Sequence, residues 1–449
     1  MDLKTTIIFG VVLVFGAAGC VIHHPDRALP KPRPLGSEIP TFRPFTKSAD
    51  IPEEPSGSIT LQDALALALM KNPELAVFSW EVRGREAATL QAGLFPNPDF
   101  STEIEDVGGS AFSGTDQAET TISLGQLIEL GGKRLKRRKV ASLTLDLAGW
   151  DYETKRIDVF SQVTHAFIGV LGAQQNRALS EEMVRLAKQV AETVSGRVQA
   201  GKVSPVEEIK ANVALSSAQI AMGRAKRELE ASQKQLAATW GSTTPRFESV
   251  KGDLGTASSI PSFDQLIRHL SQNPELARWG TEISQRRAVI DLERSRMIPD
   301  VTLSGGYRRF NETDNSTFVA GLSIPLPILN QNQGAIQEAR HRLSKAKEAR
   351  RAAEVRLTAE LAEAYRALST ANAEVQGLER DVLPGAERAF NAVNEGYRLG
   401  KFGLLDVLDA QRTLFGARAQ HLEALIDYHQ AVAGVERLIG ERLDVSRIR

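Results

Sequence analysis

The chain has 449 residues, and its 55 acidic residues balance 55 lysines and arginines. This zero net charge gives no support for a nucleic acid or an anionic membrane surface as a partner. Aromatic residues make up only 6% of the chain, which suits long, thin helices better than thick globular cores. The single cysteine, Cys20, excludes an intramolecular disulfide.

The N-terminus has the pattern of an export signal. Lys4 precedes an apolar run over residues 7–15, which is too short to span a bilayer as a helix. Small residues then lead directly to Cys20, as in a bacterial lipoprotein signal. We expect residues 1–19 to be removed and Cys20 to carry a covalent lipid. An ordinary secretory signal with an incidental cysteine is the alternative.

Residues 20–59 are rich in proline, with eight prolines between residues 25 and 55. Proline fixes the backbone angle φ and has no N–H to donate, so such a segment cannot form a helix. We therefore expect a lipidated, extended tether here.

The remainder of the chain contains the same pattern twice, with an offset near 200 residues. The sequence Asn-Pro-Glu-Leu at residues 72–75 recurs at 273–276, and Gly201-Lys202 recurs as Gly400-Lys401. A constant period of self-similarity indicates a repeat architecture. Each copy predicts a half-length helix, two strands, a long helix, a tight turn and a half-length return helix. The predicted copies are residues 60–260 and 261–449.

The helices of the two copies have matched lengths. Long helices are predicted over residues 132–200 and 333–399, each about 100 Å at 1.5 Å per residue. Pro384 and Gly385 should kink the second one. The half-length helices are predicted over residues 60–95, with a break at Pro73, and over 205–240, 262–297 and 404–439. Two half-length helices stacked end to end would match one long helix.

Strands are predicted in two regions, at about residues 100–128 and 301–325. Val301, Leu303 and Tyr307 alternate with polar residues along the second region. Each strand has about 8–11 residues, which is the length that a tilted membrane strand requires; a small soluble sheet has the same pattern. Four strands cannot close a pore alone, and open edges are not tolerated in lipid. Membrane strands would therefore require an oligomer, and three chains would supply twelve.

Residues 397–411, around the second tight turn, resemble the TolC outer-membrane efflux family, and residues 201–208 are a weaker copy. The similarity covers about residues 61–440. It implies a mainly α fold in which each chain of a homotrimer adds four strands to a twelve-stranded β-barrel on a long periplasmic α-helical barrel. The implied location is the outer membrane of a Gram-negative bacterium. The implied partners are outer-membrane lipid, a periplasmic adaptor (membrane fusion) protein and an inner-membrane RND pump.

Residues 95–98, 126–134 and 201–205 resemble the heavy-metal, CzcC-like branch of that family. They imply a passive export duct for metal cations, without choosing among cobalt, zinc, cadmium, copper and silver. One alternative is the same duct exporting drugs or other organic solutes. Another is a periplasmic coiled-coil scaffold without a pore.

The resemblance assigns roles to residues at the two tight turns. The tips that would dock the adaptor are Lys202, Val203, Ser204, Pro205, Lys401, Phe402, Gly403, Leu404 and Leu405. The periplasmic entrance gate would use Tyr397, Asp406 and Asp409. A carboxylate ring at a constriction concentrates cations. The alternative for the aspartates is stabilisation by the helix dipole, and the alternative for the two leucines is packing within the tip.

The sequence gives little support for other chemistries. Residues 196–202 approach a phosphate-binding loop, but Val203 replaces the magnesium-binding Ser or Thr and the segment joins two helices. The seven histidines are scattered, so no resident metal is expected, and we expect no enzymatic activity and no cofactor besides the lipid. A basic run over residues 133–139 would lie near lipid phosphates or on a solvated helix face.

Overall fold

The computed structural model describes residues 30–42, 53–54, 56–108, 114–255, 257 and 259–443. The chain divides into two units, Met1–Lys31 and Pro32–Arg449. Only residues 30 and 31 of the first unit are described, so the fold reported below is that of the second. The signal peptide and Cys20 lie outside the described residues, and the lipidation of Cys20 stays a prediction.

The described part of the second unit contains six strands and nine α-helices. The strands are β1 (Ser58–Ile59), β2 (Asp99–Glu105), β3 (Glu119–Ile128), β4 (Ser249–Val250), β5 (Val301–Phe310) and β6 (Asn315–Ser323). The helices are α1 (Leu61–Lys71), α2 (Pro73–Ala92), α3 (Lys133–Gln199), α4 (Pro205–Ala238), α5 (Phe263–His269), α6 (Pro274–Ser295), α7 (Gln333–Gly377), α8 (Leu383–Arg398) and α9 (Leu404–Ile439). No helix within these ranges is long and apolar enough to cross a membrane.

The two copies follow the same plan, as the repeated motifs predict. α1 and α2 correspond to α5 and α6, β2–β3 to β5–β6, α3 to α7–α8, and α4 to α9. The long and half-length helices lie within a few residues of their predicted bounds. The main core lies around the middle of α3. There the C-terminal ends of α4 and α9 meet the half-length helices that precede the strands.

The joint between stacked half-length helices is made by an asparagine in each copy. The side chain of Asn72 accepts the N–H of Leu75 and so caps α2, while its amide donates to the carbonyl of Thr239 at the end of α4, at 2.8 Å. Asn273 caps α6 in the same way and donates to the carbonyl of Leu438 near the end of α9, at 2.9 Å. The predicted end-to-end stacking is confirmed in both copies.

The second long helix is interrupted, as Pro384 predicts. A π turn over Leu378–Val382 separates α7 from α8. Proline has no N–H, and its ring displaces the carbonyl four residues earlier, which here lies inside the π turn. The interruption therefore falls just before the proline rather than at it.

The larger sheet has four antiparallel strands in the order β2-β3-β5-β6. β3 and β5 pair along their whole length, from Glu119 opposite Phe310 to Ile128 opposite Val301. This pairing joins the two copies and leaves β2 and β6 at the edges. β1 and β4 form a separate two-residue parallel pair; they are too short to produce a periodic sequence signal.

The end of the predicted tether packs against the helices. Leu35 belongs to the main core, and the guanidinium of Arg156 in α3 donates to the carbonyls of Leu35 and Arg33. The carboxylate of Glu153 accepts the Arg33 N–H at 2.6 Å. Residues 33–42 of the predicted tether are therefore in contact with the helical part. Two apolar residues that lie among its prolines, Leu35 and Ile39, are buried in the main core.

Candidate functional site

The two tight turns have the same backbone geometry. Gly201 and Gly400 follow α3 and α8 with φ of +70° and +73°. The N–H after each glycine donates to the carbonyl five residues earlier, at 2.9 Å in the first copy and 2.8 Å in the second. This is the Schellman motif, which needs a residue with positive φ after the helix. The repeated glycine-lysine pair is thus explained by the turn itself.

The helices that leave the turns are capped differently. Ser204 caps α4, because its hydroxyl accepts the N–H of Val206 at 3.3 Å. Gly403 has no side chain, and its N–H instead donates to the carboxylate of Asp406 at 2.8 Å. The contact of Asp406 is therefore that of an acidic residue in the first turn of a helix, which was the alternative to a gate role.

The predicted docking residues are not all at the surface. Leu404 is 2% exposed and packs with Val194 and Val407, whereas Leu405 is 61% exposed. The burial of Leu404 matches the alternative of packing within the tip, because the first residue of α9 faces α3 and the second faces away; the docking role of these residues stays a prediction. The other predicted tip residues are exposed, apart from Val203, which is half-buried.

Tyr397 packs in the apolar cluster that contains Val194, Leu404 and Val407. Asp409 does not belong to this cluster. Tyr397 is buried, and its hydroxyl has no hydrogen-bond partner among the described residues. The guanidinium of Arg197 lies 4.5 Å from the centre of the Tyr397 ring. Asp409 is exposed and forms an ion pair with Arg412 at 2.6 Å. The gate roles of Tyr397, Asp406 and Asp409 stay predictions.

An apolar stripe on α4 was not identified from the sequence. It consists of four side chains at helical spacing, each between 54% and 68% exposed: Val206, Ile209, Val213 and Ile220. Among the described helices, α4 packs chiefly on α3, so the stripe is free to take another helix. The spacings of three, four and seven residues were the available signal.

The four-stranded sheet has one apolar and one polar face. Tyr307 lies opposite Ile122 on one side and Phe318 on the other, and Phe318 is 78% exposed. The exposed apolar face consists of Phe100, Ile104, Ile122, Leu124, Leu303, Tyr307, Phe318 and Leu322. Such a face in a folded chain indicates contact with lipid or another apolar partner. The predicted alternation along the strands is confirmed.

The polar face is organised around one arginine. Arg308 on β5 donates to the hydroxyl of Thr121 at 2.8 Å and to the carboxylate of Glu119 at 2.9 Å, both on β3. It also pairs with Glu105 on β2 at 3.0 Å. Three strands are thereby tied by a single guanidinium, which no sequence pattern revealed because the contact depends on register.

The basic run at the start of α3 joins the helices to the sheet. Lys133 pairs with Asp300, just before β5, at 2.6 Å. Arg137 pairs with Glu129 at 2.6 Å and donates to the carbonyl of Ala92 at the end of α2. These two side chains are therefore not simply solvated. Their ion pairs hold the junction between the helical part and the strands.

The histidines of the described ranges lie apart from one another. Within the described ranges, no group of three His, Cys, Asp or Glu side chains could hold a metal ion. His429 is buried with Nε2 against the carbonyl of Leu254, and His421 contacts Glu379 at 3.2 Å. These two histidines therefore have separate partners.

Comparison with known families then identifies the chain. The family described as outer membrane efflux protein matches residues 64–242 and 267–441, which fall in the two copies. The chain belongs to the outer membrane efflux protein family. Its predicted family, its outer-membrane location and its TolC-like fold with two internal repeats are confirmed.

Two curated relatives are resistance proteins. The cobalt-zinc-cadmium resistance protein CzcC of Cupriavidus metallidurans is 38% identical, covering 87% of this chain and 92% of that protein. The nickel-cobalt-cadmium resistance protein NccC of Alcaligenes xylosoxydans xylosoxydans is 27% identical, with 67% of each chain covered. The chain is therefore similar in sequence to proteins that are named for metal resistance.

Solved structures of outer-membrane channels share the fold. CusC superposes with a TM-score of 0.71 at 17% identity, covering 93% of this chain and 99% of that chain. The open state of the Neisseria gonorrhoeae MtrE outer membrane channel gives a TM-score of 0.71 at 18% identity, covering 94% and 99%.

Proposed function

We propose that the chain is the passive outer-membrane duct of a tripartite efflux system and that its cargo is heavy-metal cations. The observation that carries the proposal is the four-stranded sheet. It is exposed on its apolar face, polar on the other, and open at both edges. Such a sheet is stable in lipid only when its edges are paired.

A homotrimer satisfies the open edges. Joining β6 of one copy to β2 of the next pairs every edge and closes twelve strands around a polar interior. The apolar face, with Phe100 and Phe318, then contacts lipid. The polar face, with Arg308 and its carboxylate partners, then lines the water-filled path.

The helices support the same arrangement. α2 and α4 form one side edge of the helical wall, since both pack chiefly on α3, and α7 with α8 forms the other. In a ring of copies, these two edges meet. The apolar stripe of Val206, Ile209, Val213 and Ile220 then becomes buried between copies, which explains an otherwise uncovered apolar surface.

The turns are the proposed docking point for a periplasmic adaptor. Lys202, Lys401, Phe402 and Leu405 are exposed at the turn end of the α3–α4 and α8–α9 hairpins. Exposed apolar side chains on a hairpin tip favour a partner helix. An inner-membrane RND pump would supply the energy, and a lipid on Cys20 would anchor the chain in the outer membrane.

The cargo proposal rests on two observations. The relatives CzcC and NccC are named for cobalt, zinc, cadmium and nickel resistance. Carboxylates outnumber basic groups on the polar face of the sheet, where Glu103, Glu105 and Glu119 accompany Arg308. A water-filled path lined by acidic groups favours cations over anions.

A deletion strain tests the proposal. Loss of the gene should raise sensitivity to cobalt, zinc or cadmium salts while leaving antibiotic sensitivity unchanged, and the wild-type gene should restore resistance. Increased sensitivity to antibiotics alone would replace the metal cargo with organic solutes. A purified protein that stays a soluble monomer and conducts no ions in a planar bilayer would contradict the duct.

A further inference from the structure

We propose that Arg308 sets the ion selectivity of the pore by neutralising part of its acidic lining. The inference rests on the proposed function, because the polar face lines a pore only when the sheet is closed. Arg308 is a single side chain whose contacts span β2, β3 and β5.

The register places the charged groups of the strands on one face. Glu103 is opposite Thr121, and Thr121 is opposite Arg308; one step along, Glu105 is opposite Glu119. Residues that are opposite each other in adjacent strands share a face. Asp99 lies on this face as well, since it is four positions before Glu103 in the same strand. The face therefore carries four carboxylates.

Only one basic residue opposes these carboxylates. Among the residues of β2, β3, β5 and β6, the basic ones are Arg308 and Arg309. Arg309 is opposite Thr120 and Ser316, on the apolar face, and pairs with Asp314 in the β5–β6 turn at 2.8 Å. Arg308 is thus the sole cation of these strands on the polar face.

The contacts of Arg308 determine which carboxylates remain free. Its guanidinium is within 3.0 Å of both Glu105 and Glu119, so its single positive charge offsets one of their two negative charges. Glu103 and Asp99 have no ion pair among the described residues. With Arg308 present, the face has a moderate negative charge; without it, Glu105 and Glu119 would add their full charge to the path.

Reversal potentials in a salt gradient measure this effect directly. The wild type, Arg308→Gln and Arg309→Gln would be compared as purified trimers in planar bilayers under a KCl gradient. Arg308→Gln should raise the permeability ratio of K⁺ to Cl⁻ by about threefold, since each copy loses one positive charge from the pore lining. Arg309→Gln is the matched control, and its ratio should equal that of the wild type.

A second variant covers the case in which Arg308→Gln fails to assemble. Glu105→Gln combined with Glu119→Gln leaves the guanidinium uncompensated and should lower the ratio below that of the wild type. Conducting channels in which neither variant moves the ratio, or in which Arg309→Gln moves it equally, would overturn the role of Arg308. A wild-type protein that forms no channels would instead remove the proposed duct.

Discussion

The guanidinium of Arg197, at the end of α3, stacks on the ring of Tyr397, at the end of α8, with its carbon 4.5 Å from the ring centre. It also donates to the Tyr397 carbonyl at 3.3 Å. The two residues are 200 positions apart, so this contact ties the turn of one copy to the turn of the other. Any separation of the two hairpins must first break it.

Replacing Arg197 with Gln should loosen the two turns. The stack is worth about 1–2 kcal/mol, because the Tyr397 ring is buried and Arg197 is half-buried, and the carbonyl hydrogen bond is lost with it. We expect a larger mean single-channel conductance, or a larger fraction of time open, than in the wild type. Arg224→Gln, at an exposed position of α4, is the control. Identical conductance in all three proteins would show that the contact does not restrain the entrance.

Leu404 and Leu405 should respond in opposite ways. Leu404→Ala removes a buried side chain and should cost about 2–5 kcal/mol of local stability, which limited proteolysis at the second turn would detect. Leu405→Glu changes an exposed side chain, so protease resistance should be normal while binding of the adaptor is reduced. Normal adaptor binding by a correctly folded Leu405→Glu protein would exclude this residue from the docking surface.

Charge and capping can be separated at Asp406 and Asp409. An asparagine at 406 keeps an oxygen that can accept the Gly403 N–H, but both substitutions remove negative charge. We expect the double variant Asp406→Asn, Asp409→Asn to keep α9 intact by hydrogen exchange and to be blocked less by multivalent cations. Asp427→Asn, an exposed position further along α9, should behave as the wild type. Unchanged block in the double variant would leave Asp406 with the capping contact alone.

Two histidines, His429 buried and His165 half-buried, predict loss of stability in acid. Burial lowers the pKa of His429, against an opposing effect of its contact with the Leu254 carbonyl. Burial and then the nearby charge of Arg437 lower the pKa of His165. The folded protein thus holds both neutral, whereas the unfolded chain takes up protons as the pH falls below about 6.5. Stability should therefore be constant above that pH and decrease below it.

Thermal unfolding between pH 7.5 and 5.5 measures this dependence. The melting temperature of the wild type should fall over the range, and His165→Gln with His429→Gln should flatten the curve, because glutamine does not titrate. An equal fall in the double variant would assign the acid sensitivity to other groups.

Much of the architecture could be predicted because it depends on local signals. Prolines 73 and 274 begin helices, and glycines 201 and 400 permit the positive φ that the two turns need. Those four residues carry the repeat in the sequence and also determine its geometry. Helix length needs only a long stretch without breakers, so the matched lengths were visible as well.

The remaining features depend on which elements become neighbours. Leu404 and Leu405 are adjacent and chemically identical, and only the position of α3 decides that the first is buried. Arg308 contacts Glu105 and Glu119 because of the register between strands. The sequence of one strand alone does not show that register. Leu35 enters the core from a segment whose composition predicts the opposite.

The paired asparagines at the helix junctions have a mechanical consequence. In each copy, one asparagine amide donates to a carbonyl at the end of the return helix, and the same side chain caps the half-length helix stacked on it. The two half-length helices of each copy are thereby joined end to end. The pair can bend at this junction without breaking the hydrogen bonds inside either helix. When the turns move, the stacked helices would therefore bend at Asn72 and Asn273, whereas α3 runs without a break from the sheet to the first turn.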